Sequence, residues 1–97
     1  METKHAYEDK MDARLREWQA KIDVLKARVD KATAEQKIKY NKDIESLRNR
    51  QQQLYKKLDE LRSAGSDGWE DLKTGVDQAY HDLKSAVERA GEKFEQG

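Results

Sequence analysis

The chain has 97 residues, enough for one small domain, and its 20 lysines and arginines are balanced by 20 aspartates and glutamates. Charged residues make up 41% and apolar residues 35% of the chain, and the mean hydropathy of −1.23 approaches that of disordered proteins. Cysteine and proline are both absent. This composition excludes disulfides and thiolate chemistry, and it favours long uninterrupted helices.

The first ten residues contain no apolar run and do not resemble a secretory signal. No stretch approaches the roughly 18 consecutive apolar residues of a membrane-spanning helix. We therefore expect a cytoplasmic protein, although a targeting segment removed from the sequence would leave no trace in it.

The first predicted helix carries apolar residues at alternating spacings of four and three. The run consists of Met11, Leu15, Trp18, Ile22, Leu25 and Val29. Such heptad spacing places these side chains on one stripe, which packs against a neighbouring helix. It predicts a helix over about residues 4–31.

A second heptad run begins eleven residues after Val29 and is therefore out of frame with the first. It consists of Tyr40, Ile44, Leu47, Gln51, Leu54, Leu58 and Leu61. It predicts a helix over about residues 34–63. Gln51 is a polar residue within this stripe, and such residues often fix the register or the oligomeric state of packed helices.

The segment 30–37 between the two runs contains no large apolar residue and has two interpretations. Thr33 and Gln36 have the spacing of a capping box, which favours a turn and three helices of similar length. The absence of Gly, Pro and Asn favours one continuous helix of about 60 residues. Two such chains would form an antiparallel, domain-swapped dimer that buries the same stripes. We favour the turn.

A stronger break follows at 63–69, where the sequence reads Ser-Ala-Gly-Ser-Asp-Gly-Trp. Gly65 is expected to close the second helix in the left-handed conformation. Asp67 is expected to cap the third helix, with Glu70 completing a capping box. The third helix is therefore predicted at about residues 67–95.

The third helix contains an eleven-residue repeat. Residues 69–79 and 80–90 are two copies with five identical positions, and a partial third copy places Phe94 where the leucine stood. Eleven residues make three helical turns, so equivalent side chains stay on one stripe. Gly75 stands where the second copy has Ala86, and it either permits a close helix approach or is merely tolerated.

Lipid-surface proteins use similar eleven-residue periodicity. The apolar stripe of this repeat is narrow, whereas helices that lie on membranes usually have a wide one. The segment is also acidic, and anionic lipids would repel it. Both properties favour burial of the repeat within a bundle.

Charges are distributed unevenly along the chain. Residues 37–58 contain seven basic and two acidic side chains, whereas residues 59–97 contain five basic and ten acidic ones. The second and third helices should therefore attract each other along their flanks, which affects register more than stability. Because the acidic helix satisfies these cations and the net charge is zero, nucleic acid is not an expected partner.

The sequence contains no catalytic or metal-binding constellation. His5 and His81 each have carboxylates within a helical turn, but no second His or Cys completes a metal-ligand set. No pattern indicates the positioned, desolvated carboxyl group that acid–base catalysis needs. We therefore expect no enzyme activity, no cofactor, no metal and no small-molecule substrate.

Residues 65–86 resemble the carboxy-terminal segment of small uncharacterised bacterial coiled-coil proteins. The shared features are Gly65, the run Trp-Glu-Asp-Leu-Lys at 69–73, and a second aromatic residue, Tyr80, eleven residues after the first. The charged heptads 15–23 and 42–50 are also similar to that group. The resemblance implies a bacterial source and a helical coiled-coil fold, and it implies no activity.

Taken together, the patterns predict an all-α, antiparallel three-helix coiled-coil bundle forming one domain over residues 1–97. The predicted packing or partner face comprises Trp18, Leu47, Leu54, Trp69, Leu72, Val76, Tyr80, Leu83, Val87 and Phe94. Such a face without reactive groups indicates a non-enzymatic structural or protein-interaction role, with a protein partner or self-association. The alternatives are peripheral binding to a lipid surface through the repeat 69–94, and a stress-protective helical protein.

Overall fold

The computed structural model describes residues 3–96, so residues 1, 2 and 97 of the predicted domain lie outside the described part. It consists of α1 (Lys4–Asp30), α2 (Ala34–Ser63) and α3 (Trp69–Gln96). The helices pack side by side in a rod of 51 × 17 × 16 Å. Successive helices are antiparallel, so α3 runs parallel to α1. The predicted all-α three-helix bundle is confirmed.

The chain turns between α1 and α2, as the capping-box spacing predicted. The Thr33 side chain accepts a hydrogen bond from the Gln36 amide, and the Gln36 side chain accepts one from the Thr33 amide. The amides of Lys31 and Ala32 donate to carbonyls in the last turn of α1. These bonds satisfy backbone groups at both helix ends, so the continuous 60-residue helix is not formed.

The second turn differs from its prediction. No glycine among residues 3–96 has a positive φ, so Gly65 does not adopt the left-handed conformation. Asp67 does not begin the third helix either, because α3 starts two residues later, at Trp69. The chain enters α3 through a turn in which the amides of Gly68 and Trp69 donate to the Gly65 carbonyl.

Lys4 supplies hydrogen-bond donors at the end of α2, where a left-handed glycine is absent. Its Nζ atom donates to the carbonyl oxygens of Arg62 and Ala64, at 2.8 Å each. These are carbonyls that the end of a helix leaves without an internal partner, and they carry the negative end of the helix dipole. The first turn of α1 therefore caps the last turn of α2.

Both heptad stripes are buried in the core, together with most of the third-helix stripe. The buried apolar side chains are Tyr7, Met11, Leu15, Trp18, Ile22, Leu25 and Val29 from α1; Tyr40, Ile44, Leu47, Leu54, Leu58 and Leu61 from α2; and Trp69, Val76, Ala79, Tyr80, Leu83, Val87, Ala90 and Phe94 from α3. Tyr7 is a core residue that the predicted heptads did not include, because it precedes Met11 and Leu15 at successive spacings of four.

Leu72 is an exception to the predicted burial. It is only half-buried, whereas the equivalent leucine of the second repeat, Leu83, is completely buried. Leu72 borders an open groove beside Gly75. A Cβ atom built on Gly75 would meet no other atom within 4 Å, so this glycine does not serve a close helix approach.

Replacing Thr33 with Ala should lower the free energy of unfolding by about 1 kcal/mol, because the N-cap oxygen would be lost. In a helix that ran straight through residues 30–36, the same change would be neutral or stabilising, since Ala has the highest helix propensity. Urea denaturation followed by circular dichroism measures the difference. The sign of the effect therefore tests the turn.

Thr74→Ala is the matched control. Thr74 is exposed and lies inside α3, so its replacement should raise the free energy of unfolding by up to about 0.7 kcal/mol. If Thr33→Ala stabilised the protein as Thr74→Ala does, the turn would be contradicted.

Candidate interaction surfaces

The structure places nine of the ten predicted packing or partner residues inside the bundle. Trp18, Leu47, Leu54, Trp69, Val76, Tyr80, Leu83, Val87 and Phe94 are buried, and Leu72 alone is half-buried. These side chains pack against one another within one chain. The nine buried side chains are therefore covered in the folded protein, and Leu72 alone is left partly available to a partner.

Two aromatic pairs join α1 to α3 along the repeat. The rings of Tyr7 and Trp69 have centroids 5.9 Å apart, and those of Trp18 and Tyr80 have centroids 6.4 Å apart in an edge-to-face arrangement. Tyr7 and Trp18 are separated by eleven residues, as are Trp69 and Tyr80. Because α1 and α3 are parallel, the eleven-residue spacing on one helix matches that on the other.

Hydrogen bonds fix these aromatic pairs. The Trp18 Nε1 group donates to the Tyr80 hydroxyl oxygen at 3.2 Å. The Tyr7 hydroxyl donates to the Asp77 carboxylate, which lies on α3 one turn before His81. Among the side chains of residues 3–95, no fully buried nitrogen or oxygen lacks a partner. The polar atoms of the α1–α3 contact are therefore satisfied, and they require this one register.

Gln51, the polar residue of the α2 stripe, is buried and donates to the Gln19 carbonyl oxygen on α1. Gln19 in turn donates to Asp23 at 2.8 Å. An apolar residue at position 51 would leave Gln19 without this partner. Gln51 therefore aligns α2 with α1 within the chain, which agrees with the register role predicted for it.

The third repeat breaks the aromatic series. Gly91 occupies the position of Trp69 and Tyr80, and a Cβ atom there would lie 4.0 Å from Leu25. A shallow groove therefore remains between α1 and α3 at this point. Trp18 and the exposed Val24 are among the residues that line the groove. Phe94 pairs with Tyr40 of α2 instead, at a centroid distance of 4.3 Å.

The basic side chains of α2 do not form the flank contacts expected with α3. Within the described part of the chain, none of the seven cations between residues 37 and 58 forms an ion pair. The α2–α3 ion pair that does form has the opposite polarity, with Lys93 of α3 at 2.8 Å from Asp43 of α2. Arg50 and Lys57 line the groove between the two helices, but neither lies within ion-pair distance of an α3 carboxylate, so the expected flank attraction does not act through direct ion pairs.

The groove between α2 and α3, here called the α2/α3 groove, has two ends of unlike charge. Its basic end lies towards the 31–33 turn and forms a cavity of about 240 Å³ lined by Asp43, Ser46, Leu47, Arg50, Ala86, Arg89, Ala90 and Lys93. Its acidic end lies towards the 64–68 turn and forms a cavity of about 210 Å³ lined by Lys57, Glu60, Asp71, Leu72 and Gly75. Both ends open to solvent.

The described residues contain no group of three or more His, Asp and Glu side chains placed to hold a metal ion. His5 and Asp9 are 3.7 Å apart and both exposed, whereas His81 lies against the Tyr80 ring at 5.4 Å. No helix within residues 3–96 has the length and apolar character needed to cross a membrane.

Comparisons with known proteins returned no relative: no protein-family model, no curated protein and no solved structure matches the chain. The resemblance to bacterial coiled-coil proteins therefore stays a prediction.

Replacing Tyr80 with Phe should lower the free energy of unfolding by about 1 kcal/mol, because the buried Trp18 Nε1 group would lose its acceptor. Tyr40→Phe is the matched control, since the Tyr40 hydroxyl has no hydrogen bond to a described residue. It should change stability little. Equal losses in the two variants, measured by urea denaturation, would contradict a structural role for the Trp18–Tyr80 bond.

Proposed function

We propose that this chain is a non-enzymatic helical interaction module that contacts its partner through charged outer surfaces of the folded bundle. The observation that carries the proposal is the use of the apolar stripes within one chain. A stripe that is buried inside the bundle cannot also bind a partner. The remaining outer surface is charged, with cations in excess on α2 and acids in excess on α3.

This difference in charge supports recognition of a charged protein surface. The exposed cations of α2 include Lys42 and Lys56, and the exposed acids of α3 include Glu70 and Asp82. None of these four side chains forms an ion pair with another residue of the described range 3–96. Charges that are not satisfied within the chain remain available to complementary charges on a partner. Such contacts give specificity and fast association more than high affinity, which suits an adaptor or scaffold protein.

The proposal predicts salt-sensitive binding that requires the folded bundle. An immobilised wild-type chain should retain a protein partner, or a second copy, at low salt and release it at about 0.5 M salt, where charges are screened beyond a few ångströms. Val76→Asp should abolish retention, because Val76 is completely buried and an unpaired carboxylate there would unfold the core.

Thr74→Asp is the matched control, since it introduces the same residue at an exposed position of the same helix. It should bind as the wild type does. Retention that survives Val76→Asp would contradict a role for the folded surface and would favour a stress-protective chain that acts without a packed core. A wild-type chain that is strictly monomeric and retains no protein at low salt would also contradict the proposal.

Binding to a lipid surface through residues 69–94 stays a separate prediction. It would require the bundle to open, because the apolar side chains of the repeat pack against α1 and α2. Under our proposal, wild-type protein should not co-sediment with anionic or neutral vesicles. Co-sedimentation that Leu72→Asp abolished would instead favour the lipid hypothesis, since Leu72 is only half-buried and its replacement leaves the core in place. A cytoplasmic location likewise stays a prediction.

A further inference from the structure

We infer that the α2/α3 groove binds a second copy of this chain in an antiparallel, two-fold arrangement. In this arrangement the basic end of the groove on each copy lies against the acidic end of the groove on the other. The inference rests on the proposed function and names the partner. It follows from the charges at the two ends of the groove and from the positions of these ends along it. It also follows from Leu72, the half-buried apolar side chain that lines the acidic end.

The basic end carries an excess of cations over the acids that pair with them within residues 3–96. Lys93 and Asp43 pair at 2.8 Å and neutralise each other. Arg50 and Arg89 line the same cavity and form no ion pair with any described residue; Arg89 makes a 3.4 Å bond from Nε to the Ser85 carbonyl. Two guanidinium groups therefore face the groove, and guanidinium groups match carboxylates in geometry as well as in charge.

The acidic end offers the complementary groups. Glu60 and Asp71 line its cavity with Lys57 as the single cation, and two further exposed acids, Asp67 and Glu70, precede Asp71 in the chain. Within residues 3–96, none of these carboxylates is in an ion pair. The side chains that line this end therefore carry a net charge of −1 (one cation and two acids), against +2 (three cations and one acid) at the basic end.

The two ends lie on one face of the rod, which makes their pairing geometrically simple. Arg50 and Glu60 are ten residues apart on α2, a distance of about 15 Å along the helix. A two-fold axis that crosses the groove between them turns the basic end of one copy onto the acidic end of the other, and it does so twice. Because each copy uses the same surface, no binding surface is left over and association stops at a dimer.

Leu72 and Gly75 favour contact at the acidic end. Leu72 is the one large apolar side chain of the repeat that the bundle leaves half-buried, and the space around Gly75 is open. A second copy would cover both. A polyanion such as nucleic acid, or an anionic membrane, fits the groove less well, since the acidic end would repel it.

The experiment measures molar mass by sedimentation equilibrium at low salt and at about 0.5 M salt. Wild-type protein should associate to a dimer at low salt, and salt should weaken the association. Arg89→Glu and Asp71→Lys should each raise the dissociation constant roughly tenfold or more, because each places like charges opposite each other at both symmetric contacts. Circular dichroism confirms that the variants fold.

An equal mixture of these two variants should form a heterodimer. At one contact, the carboxylate that the first substitution introduces would face the ammonium group that the second introduces. At the other contact, the unaltered Arg89 and Asp71 would pair. Lys26→Glu is the matched control, since Lys26 is exposed on α1 and lines neither end of the groove. It should leave the dissociation constant unchanged.

A wild-type chain that stays monomeric at low salt would overturn the inference, as would a dimer that is indifferent to Arg89→Glu. Retention of a different protein by a monomeric wild-type chain would overturn this inference while leaving the proposed function intact. Salt-sensitive binding of nucleic acid or anionic vesicles without dimerisation would overturn both.

Discussion

The parallel contact between α1 and α3 is the constraint on which the rest of the bundle depends. Because short turns join the successive helices, each helix is antiparallel to the next. The turns do not by themselves fix the axial position of α3 relative to α1. Two aromatic pairs, Tyr7–Trp69 and Trp18–Tyr80, fix this axial position, and the pairs are eleven residues apart on each helix. A hydrogen bond between α1 and α3 accompanies each pair. A shift of one turn would separate Trp18 from Tyr80 and leave a buried N–H group unpaired, which costs about 1–3 kcal/mol.

The three helices meet this constraint with different periodicities. α2 keeps strict heptads, which favour a left-handed supercoil, whereas the repeat of α3 has the eleven-residue period that favours the opposite hand. α1 combines the two, because Tyr7, Met11, Leu15 and Trp18 follow 4-4-3 spacing before the heptads continue. The amino-terminal part of α1 therefore matches α3, and the remainder of α1 matches α2. The helices are 27 to 30 residues long, or about eight turns, so the two periods would drift apart over the full length if α1 did not change its spacing.

Features encoded by neighbouring residues could be predicted from the sequence. The stripes, the turn at 31–33 and the capping box of Thr33 and Gln36 depend on side chains a few residues apart. The end of α2 could not be predicted in the same way. Gly65 has a sequence context that favours the left-handed conformation, but Lys4, about 60 residues away, already satisfies the terminal carbonyls. The charges on each helix could be counted from the sequence, but the count did not show which charged side chains line the groove. The bipolar α2/α3 groove appears only when the two helices are placed side by side.

The bond from Lys4 to the end of α2 also bears on the order in which the protein folds. Contacts between residues so far apart in sequence form late, because closing a long loop costs entropy before the contact repays it. Until α1 docks, the Arg62 and Ala64 carbonyls lack this donor, so the last turn of α2 should fray more readily than in the folded bundle. Local bonds to the Leu61 and Gly65 carbonyls already shape the 64–68 turn. The amino terminus therefore adds the last contacts to a junction that the helical hairpin of α2 and α3 has begun to form by itself.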